Sequence, residues 1–357
     1  MAEHEAKHLE LPAAGGLMES APASEIVQAE FAVEVTEVTA PPRQRRIVLP
    51  AVLFLLTCLS TFFVGAVEWE PDAYLPSLQS LLGISSPGSM EMRPDPYWMV
   101  AARRAVLVNW RQGLTYMACL VGILLTHEMG HFVMAVAYRV RASLPYFLPL
   151  PITLIGTMGA VIGMDGSSAN RRQIFDIGLA GPLAGLLVAA PIMWIGVQRL
   201  DLSGGAVGGL ALELPLAMRL AVDYLQPGAY DPAVGVPVAR VNAFFMAGWV
   251  GLLITALNML PVSQLDGGHV AYALFGRAAH WVARAFMLAA FLYMGITAAM
   301  YQQFPGWILM ALLVLLMGVD HPRTRDDSVP LGWFRVVLGA ASLLIPIFCF
   351  MPNPVKM

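Results

Sequence analysis

Residues 113–137, GLTYMACLVGILLTHEMGHFVMAVA, form an apolar run long enough to cross a bilayer, yet one turn of it carries His127, Glu128 and His131. Each ionisable side chain in hydrocarbon costs at least about 2.5–3.5 kcal/mol, so three together call for a partner or a role. Residues four apart on a helix share a face. Both imidazoles can therefore reach one ion, with Glu128 beside them to take a proton from water. The bland alternative is a helix with two satisfied histidines, and it leaves the cost of all three groups unexplained. The run reads as a membrane helix bearing a HExxH metal motif.

The composition around it agrees. Of 357 residues, 58% are hydrophobic and 13% charged, and the mean hydropathy is +0.66. Soluble domains are about 45–50% apolar and about 25% charged, so this chain cannot coat an ordinary soluble surface. The net charge of −3 gives no electrostatic case for nucleic acid. Cys58, Cys119 and Cys349 lie far apart in apolar runs, which excludes a disulfide framework and a CxxC zinc site.

Further spans are expected at 47–67, 174–198, 242–261, 283–303, 304–320 and 331–351. The fold class is an all-α membrane protein of about seven transmembrane helices. Residues 1–46, rich in Ala, Glu and Pro, read as a disordered acidic tail. A polytopic domain follows over 47–351. It comprises the HExxH helix 113–137, a segment 143–170, an extramembrane loop 199–240, a segment 242–269 and C-terminal helices 283–351. Segment 143–170 holds Pro145, Pro149 and Pro151 before a glycine-punctuated apolar run. It is too broken for a spanning helix and too apolar for a surface loop, so a re-entrant β-like hairpin is expected. With the amino terminus in the cytoplasm, Arg139, Arg141, Arg171, Arg172, Arg277, Arg284, Arg323 and Arg325 fall on the cytoplasmic side, as basic residues should.

A catalytic zinc needs a third protein ligand and an open position. Asp176, next to Arg171 and Arg172, reads as a membrane-edge ion pair or a helix-start cap. Asp266 lies in NMLPVSQLDGGH, 258–269. Its paired glycines permit close backbone approach and unusual dihedrals, so the carboxylate can turn into a cavity. The alternative is a cap on the segment starting at Gly267. His269 reads as a supporting or cytoplasmic-edge residue rather than a ligand, and His280 and His321 read as interfacial.

Two separated motifs now resemble one family. His127–His131 resembles the HExxH, and Asn258–Gly268 the NxxPxxxxLDGG-type signature, of the site-2 protease family of intramembrane zinc metalloproteases. Gly156-Thr157-Met158-Gly159-Ala160 resembles that family's membrane hairpin. Phe175–Gly185 resembles the helix that follows it in bacterial and plastid members. The resemblance covers roughly residues 100–350 and leaves no room for PDZ or CBS domains. It implies His127, His131 and Asp266 as Zn2+ ligands, Glu128 as general base and Asn258 as a polar group near the scissile carbonyl. It implies peptide-bond hydrolysis in or near a transmembrane segment of single-span membrane-protein substrates in the lipid bilayer. A homo-oligomer is left open. The short, uncharged stretch around Gly156–Ala160 reads as an edge strand that adds the substrate by main-chain hydrogen bonds, its rival being a plug beside the metal. The resemblance to bacterial members and the lack of a transit-peptide signature give a bacterial inner membrane, with the site toward the cytoplasm. Two rivals from other classes are a membrane metal-ion transporter and a catalytically inactive membrane scaffold.

Overall fold

The computed structural model describes residues 47–69, 98–202, 210–301, 314–316 and 318–356. All fall in the compact unit Arg45–Met357. The expected tail over 1–46, most of the expected span 304–320 and residues 203–209 of the loop lie outside the described residues.

Helix α1, Val48–Ala66, opens the described chain. Helix α2, Trp98–Ala137, starts well before the expected 113 and contains the HExxH turn. Its ladder breaks at Asn109, whose Nδ2 donates to Ala66 O at 3.2 Å and closes the end of α1. Strands β1, Tyr146–Leu150, and β2, Gly156–Val161, form an antiparallel hairpin. The pairing shifts between Phe147 and Pro149. Pro149 has no N–H to give, and Thr157 Oγ1 donates to Leu148 O at 2.8 Å beside it.

Helix α3, Arg171–Gln198, begins at a capping box in which Asn170 and Gln173 satisfy each other's backbone amides. Next come β3, Ala211–Leu212, α4, Leu216–Leu225, and β4, Val236–Pro237. Helix α5, Ala243–Asn258, leads to α6, Asp266–Phe275, and α7, Ala279–Tyr301. The chain ends in α8, Trp333–Ser342, α9, Ile345–Cys349, and β5, Val355–Lys356.

Four runs are long and apolar enough to cross a membrane: Val48–Ala66, Met99–Ala137, Arg171–Gln198 and Asp266–Met300. The last joins α6 to α7 through a single 3₁₀ turn. Ala243–Asn258 and Trp333–Cys349 are apolar but shorter. The expectation of seven spans thus reduces to four among the described residues. Helix α5 is buried on nearly every side, so its all-round apolarity reflects a core position. The expected helix 331–351 divides because Pro346 starts a new helix rather than continuing the old one.

Small residues set the spacing of the bundle. A Cβ on Gly130 of α2 would lie 2.6 Å from Ala180 O of α3, and one on Gly248 of α5 would lie 2.6 Å from Met193 Cα. Between these crossings Tyr116, Leu120, Met246 and Trp249 are fully buried. The described part of 199–240, the expected extramembrane loop, includes β3, α4 and β4. Strand β3 pairs with β4 and with β5 from the chain's end, while Trp249 Nε1 donates to Glu213 O at 2.8 Å. At the opposite end, residues 319–335 strap the helices together. Ser263 N donates to Val319 O at 2.9 Å, Arg171 N to Asp326 O at 3.1 Å and Arg325 N to Ala169 O at 2.9 Å. Asp176 does form the expected ion pair, but with Arg335, at 2.7 and 2.9 Å. Tyr138 donates to the same carboxylate at 2.5 Å.

The α3–α5 crossing gives a direct test. Gly248→Leu forces a side chain into Met193, and overpacking of this kind costs about 1–3 kcal/mol. Unfolding in detergent should shift to lower denaturant, while the same change at Gly295, which has open space, should leave the midpoint in place.

Candidate metal centre

The HExxH turn of α2 places the His127 and His131 rings 5.0 Å apart, centroid to centroid. The third group arrives from α6. The chain turns sharply between Pro261 and Leu265, with Ser263 at φ +53°. A Cβ on Gly267 would overlap Met259 O, and one on Gly268 would overlap Ser263 O. The glycine pair thus provides the expected close approach, while the unusual dihedral falls on Ser263. Leu265 occupies the cap position of α6, so the Asp266 carboxylate is left for other work. Its Oδ2 lies 3.2 Å from His127 Nε2 and its Oδ1 3.3 Å from His131 Nε2.

The donor atoms of His127, His131 and Asp266 all lie within 4.8 Å of one another, the one such group of potential metal donors among the described residues. Two imidazoles and a carboxylate suit a borderline divalent cation, and three protein donors is the number used by catalytic sites that keep a position open. The ring orientation fits as well. His131 Nδ1 donates to Ile177 O at 2.8 Å, which leaves the Nε2 lone pair facing Asp266. Pro182, inside α3, removes an amide and loosens the turn that holds Ile177. The wall of the site is backbone: a Cβ on Gly181 would overlap His131 Nε2, and one on Gly185 would lie 3.0 Å from His127 Nδ1.

Glu128, 4% exposed, lies within electrostatic reach of His127, His131 and Asp266. Asn258 ends α5 with its Nδ2 3.3 Å from His127 Nε2. The structure therefore brings together the five residues singled out around the HExxH and LDGG motifs. Gly156–Ala160 falls wholly on β2, tied to the neighbouring helices rather than to the donors. Ser60 Oγ donates to Gly156 O at 2.5 Å, and Tyr116 Oη to Ile155 O at 2.8 Å. Tyr116 sits about three turns before His127 on α2.

One group was not legible as a cluster. His269 Nδ1 and His321 Nε2 are 2.6 Å apart. The His321 ring stacks on Tyr272 at 4.4 Å, and Tyr272 donates to Asp327 at 2.9 Å. Burial holds His321 down to about 4, so it is neutral at physiological pH. Its Nδ1–H donates to Pro322 O at 2.5 Å, which makes Nε2 the acceptor for His269. His321 is buried within the protein. Nothing local in the sequence signals a pairing across 52 positions.

The family model described as Peptidase family M50 matches residues 115–301. Over 235 residues the chain is 31% identical to the probable zinc metalloprotease EGY1, chloroplastic, of Arabidopsis thaliana, covering 63% of this chain and 40% of that protein. Identity to the protein of the same name from Oryza sativa subsp. japonica is 32% over 234 residues, or 63% and 38% of the two chains. Identity to the probable zinc metalloprotease EGY2, chloroplastic, of Arabidopsis thaliana is 27% over 239 residues, or 65% and 40%. The chain spans about 40% of the length of the curated relatives it matches.

Gly181→Ala tests the backbone wall. The added methyl pushes into His131, and losses of about 10–100-fold in metal affinity follow when the surroundings of a ligand are disturbed. Metal content after dialysis against a chelator should fall in Gly181→Ala and stay level in Gly122→Ala, a position on α2 with nothing near it.

Proposed function

The chain belongs to peptidase family M50, and from that premise we propose that it is an intramembrane zinc metalloprotease that hydrolyses a peptide bond in or near a transmembrane segment of single-span membrane proteins. The observation that carries the proposal is the convergence of His127, His131 and Asp266, with Glu128 buried beside them, inside an apolar bundle. His127 Nε2, His131 Nε2 and the Asp266 carboxylate are assigned as the ligands. When bound there, zinc supplies Lewis acidity, polarising the scissile carbonyl and making water a nucleophile near neutral pH.

The chain's own residues do the rest. Glu128 accepts the proton of the attacking water on a carboxylate oxygen and delivers it to the leaving amide nitrogen as the C–N bond breaks. Asn258 Nδ2 donates to the oxygen on which negative charge develops, a contribution worth about 2.7–4 kcal/mol where comparable donors have been removed. His131 is kept in register by Ile177 O, and α3 closes the wall behind both imidazoles.

A helical substrate must unwind to expose its carbonyl, which leaves backbone groups without partners in hydrocarbon. Strand β2 is assigned to receive them. One of its edges pairs with β1, and Met158 and Val161 are about half exposed, at 49% and 53%. An orientation with the 319–335 strap on the positively charged face of the membrane is supported by the basic residues Arg171, Arg172, Arg323 and Arg325 at that end. The names of the relatives favour a plastid membrane and do not support the bacterial inner membrane expected from the sequence.

Glu128→Gln, a near-isosteric change, is the decisive variant. Cleavage of membrane-protein substrates, read by quantitative proteomics of intact chains and stubs, should fall on the order of 10²–10⁴-fold, with bound zinc unchanged. Alternate proline substitutions across 157–162 should block cleavage without loss of zinc, because alternate amides of a strand point to opposite edges. Metal flux that survives Glu128→Gln without proteolysis would make the protein a transporter. A wild type that leaves every membrane protein intact would make it a scaffold.

A further inference from the structure

The end of the bundle away from the metal donors carries an apolar feature that catalysis does not use. Helix α4 buries Met218, Ala221 and Val222 against the core. Its other side is not polar, as a cap in water requires. Leu216, Leu220 and Tyr224, one turn apart, are 39%, 54% and 77% exposed. Arg219 is spent on Glu213 at 2.7 Å, which leaves Asp223 as the one exposed charge on the helix.

This row is continuous with an exposed apolar face of α3, one of the runs long and apolar enough to cross a membrane. Along α3, Leu183, Leu187 and Trp194 form an exposed stripe at helical spacing. Trp194 lies beside Tyr224, ring centroids 6.0 Å apart. Depth can be read from the helix itself. Ile174 to Trp194 rises about 30 Å at 1.5 Å per residue, close to the roughly 30 Å thickness of the hydrocarbon core. Arg171 and Arg172 stand just outside one boundary, so Trp194 marks the other, the level at which Trp and Tyr collect. Tyr224 shares that level.

We propose that α4 is an interfacial helix lying in the plane of the membrane, with Leu216, Leu220 and Tyr224 seated between acyl chains and headgroups. The occupant of this face is lipid. An apolar face with few charges binds such a boundary through buried area. Anchored there, α4 holds β3 and Glu213 at fixed depth, and Trp249 of α5 is bonded to Glu213. The proposal rests on α3 as a membrane span and not on proteolysis, so failure of the protease reading leaves it standing.

The test uses the full chain in vesicles of phosphatidylcholine and phosphatidylglycerol. With Cys58, Cys119 and Cys349 replaced, an environment-sensitive fluorophore is attached to a single cysteine at position 220 or at the exposed loop position 233. Nitroxide lipids labelled near the headgroup should quench the label at 220 about twofold more than lipids labelled deep in the chain, and iodide should quench only the label at 233. Equal iodide quenching at both positions overturns the proposal. So does a label at 220 shielded from lipid and iodide alike, with bis-maleimide joining two copies there. The unmodified chain gives a second readout that needs no cysteine replacement. A photoactivatable lipid with a shallow diazirine should leave adducts on the 216–225 peptide and on Trp194. Adducts on Trp194 alone contradict the interfacial placement.

Discussion

Asp266 and His127 stand 139 positions apart in the chain and 3.2 Å apart in space. A carboxylate and two imidazoles in an apolar bundle are expensive unless each has its partner, and removing one partner of a buried charged pair costs about 3–5 kcal/mol. The first residue of α6 must therefore be held against one turn of α2 with little freedom. Backbone-on-backbone packing does this. Gly267 and Gly268 let α6 press on the preceding turn, and Gly178 and Gly181 let α3 take His269 and His131 against its own backbone. A methyl group at Gly181 would meet His131 Nε2 itself, and one at Gly178, Gly267 or Gly268 would push α6 or the turn before it out of place.

The ends of α6 are secured as firmly as its middle. Arg171 reaches from the first turn of α3 to Ala273 O at 2.7 Å and Leu274 O at 3.3 Å. It thus satisfies carbonyls that the end of α6 leaves unpaired. The 319–335 strap supplies Val319 O to Ser263 N, His321 to His269 and Arg335 to Asp176. The polar contacts of α6 thus come from the end of the bundle nearest the metal donors. At the far end a small sheet and helix α4 close the bundle, with Arg219 paired to Glu213 and Gln226 donating to Leu200 O.

What could be read from the sequence is what local spacing encodes. Two histidines four apart share a helix face wherever the helix lies, and a carboxylate before paired glycines is marked by its own neighbours. The long apolar runs of α1, α2, α3 and α7 were legible because hydropathy is a local sum. Helix α5 was legible as an apolar helix, but its encirclement by protein was not, because composition does not distinguish a helix surrounded by protein from one surrounded by lipid. Asp176 was readable as half of an ion pair, but its partner Arg335 lies 159 positions away, and nearer arginines competed for the role. Gly181 carried no signal of its own. Its importance depends on which helix packs behind His131, and that is fixed only when α2 and α3 cross. Strand β3 pairs with β5 at the chain's end, a contact that no local window contains.

The convergence of three donors on one ion is most directly tested by X-ray absorption at the zinc edge of the purified, zinc-loaded chain. Two imidazole shells at about 2.0–2.1 Å, a light-atom oxygen shell at about 2.0–2.2 Å and no sulfur are expected. The carboxylate contribution should be lost in Asp266→Ala. Three imidazoles around the zinc, or a spectrum unchanged by Asp266→Ala, would show that His269 or another residue completes the site, contradicting the assignment of Asp266.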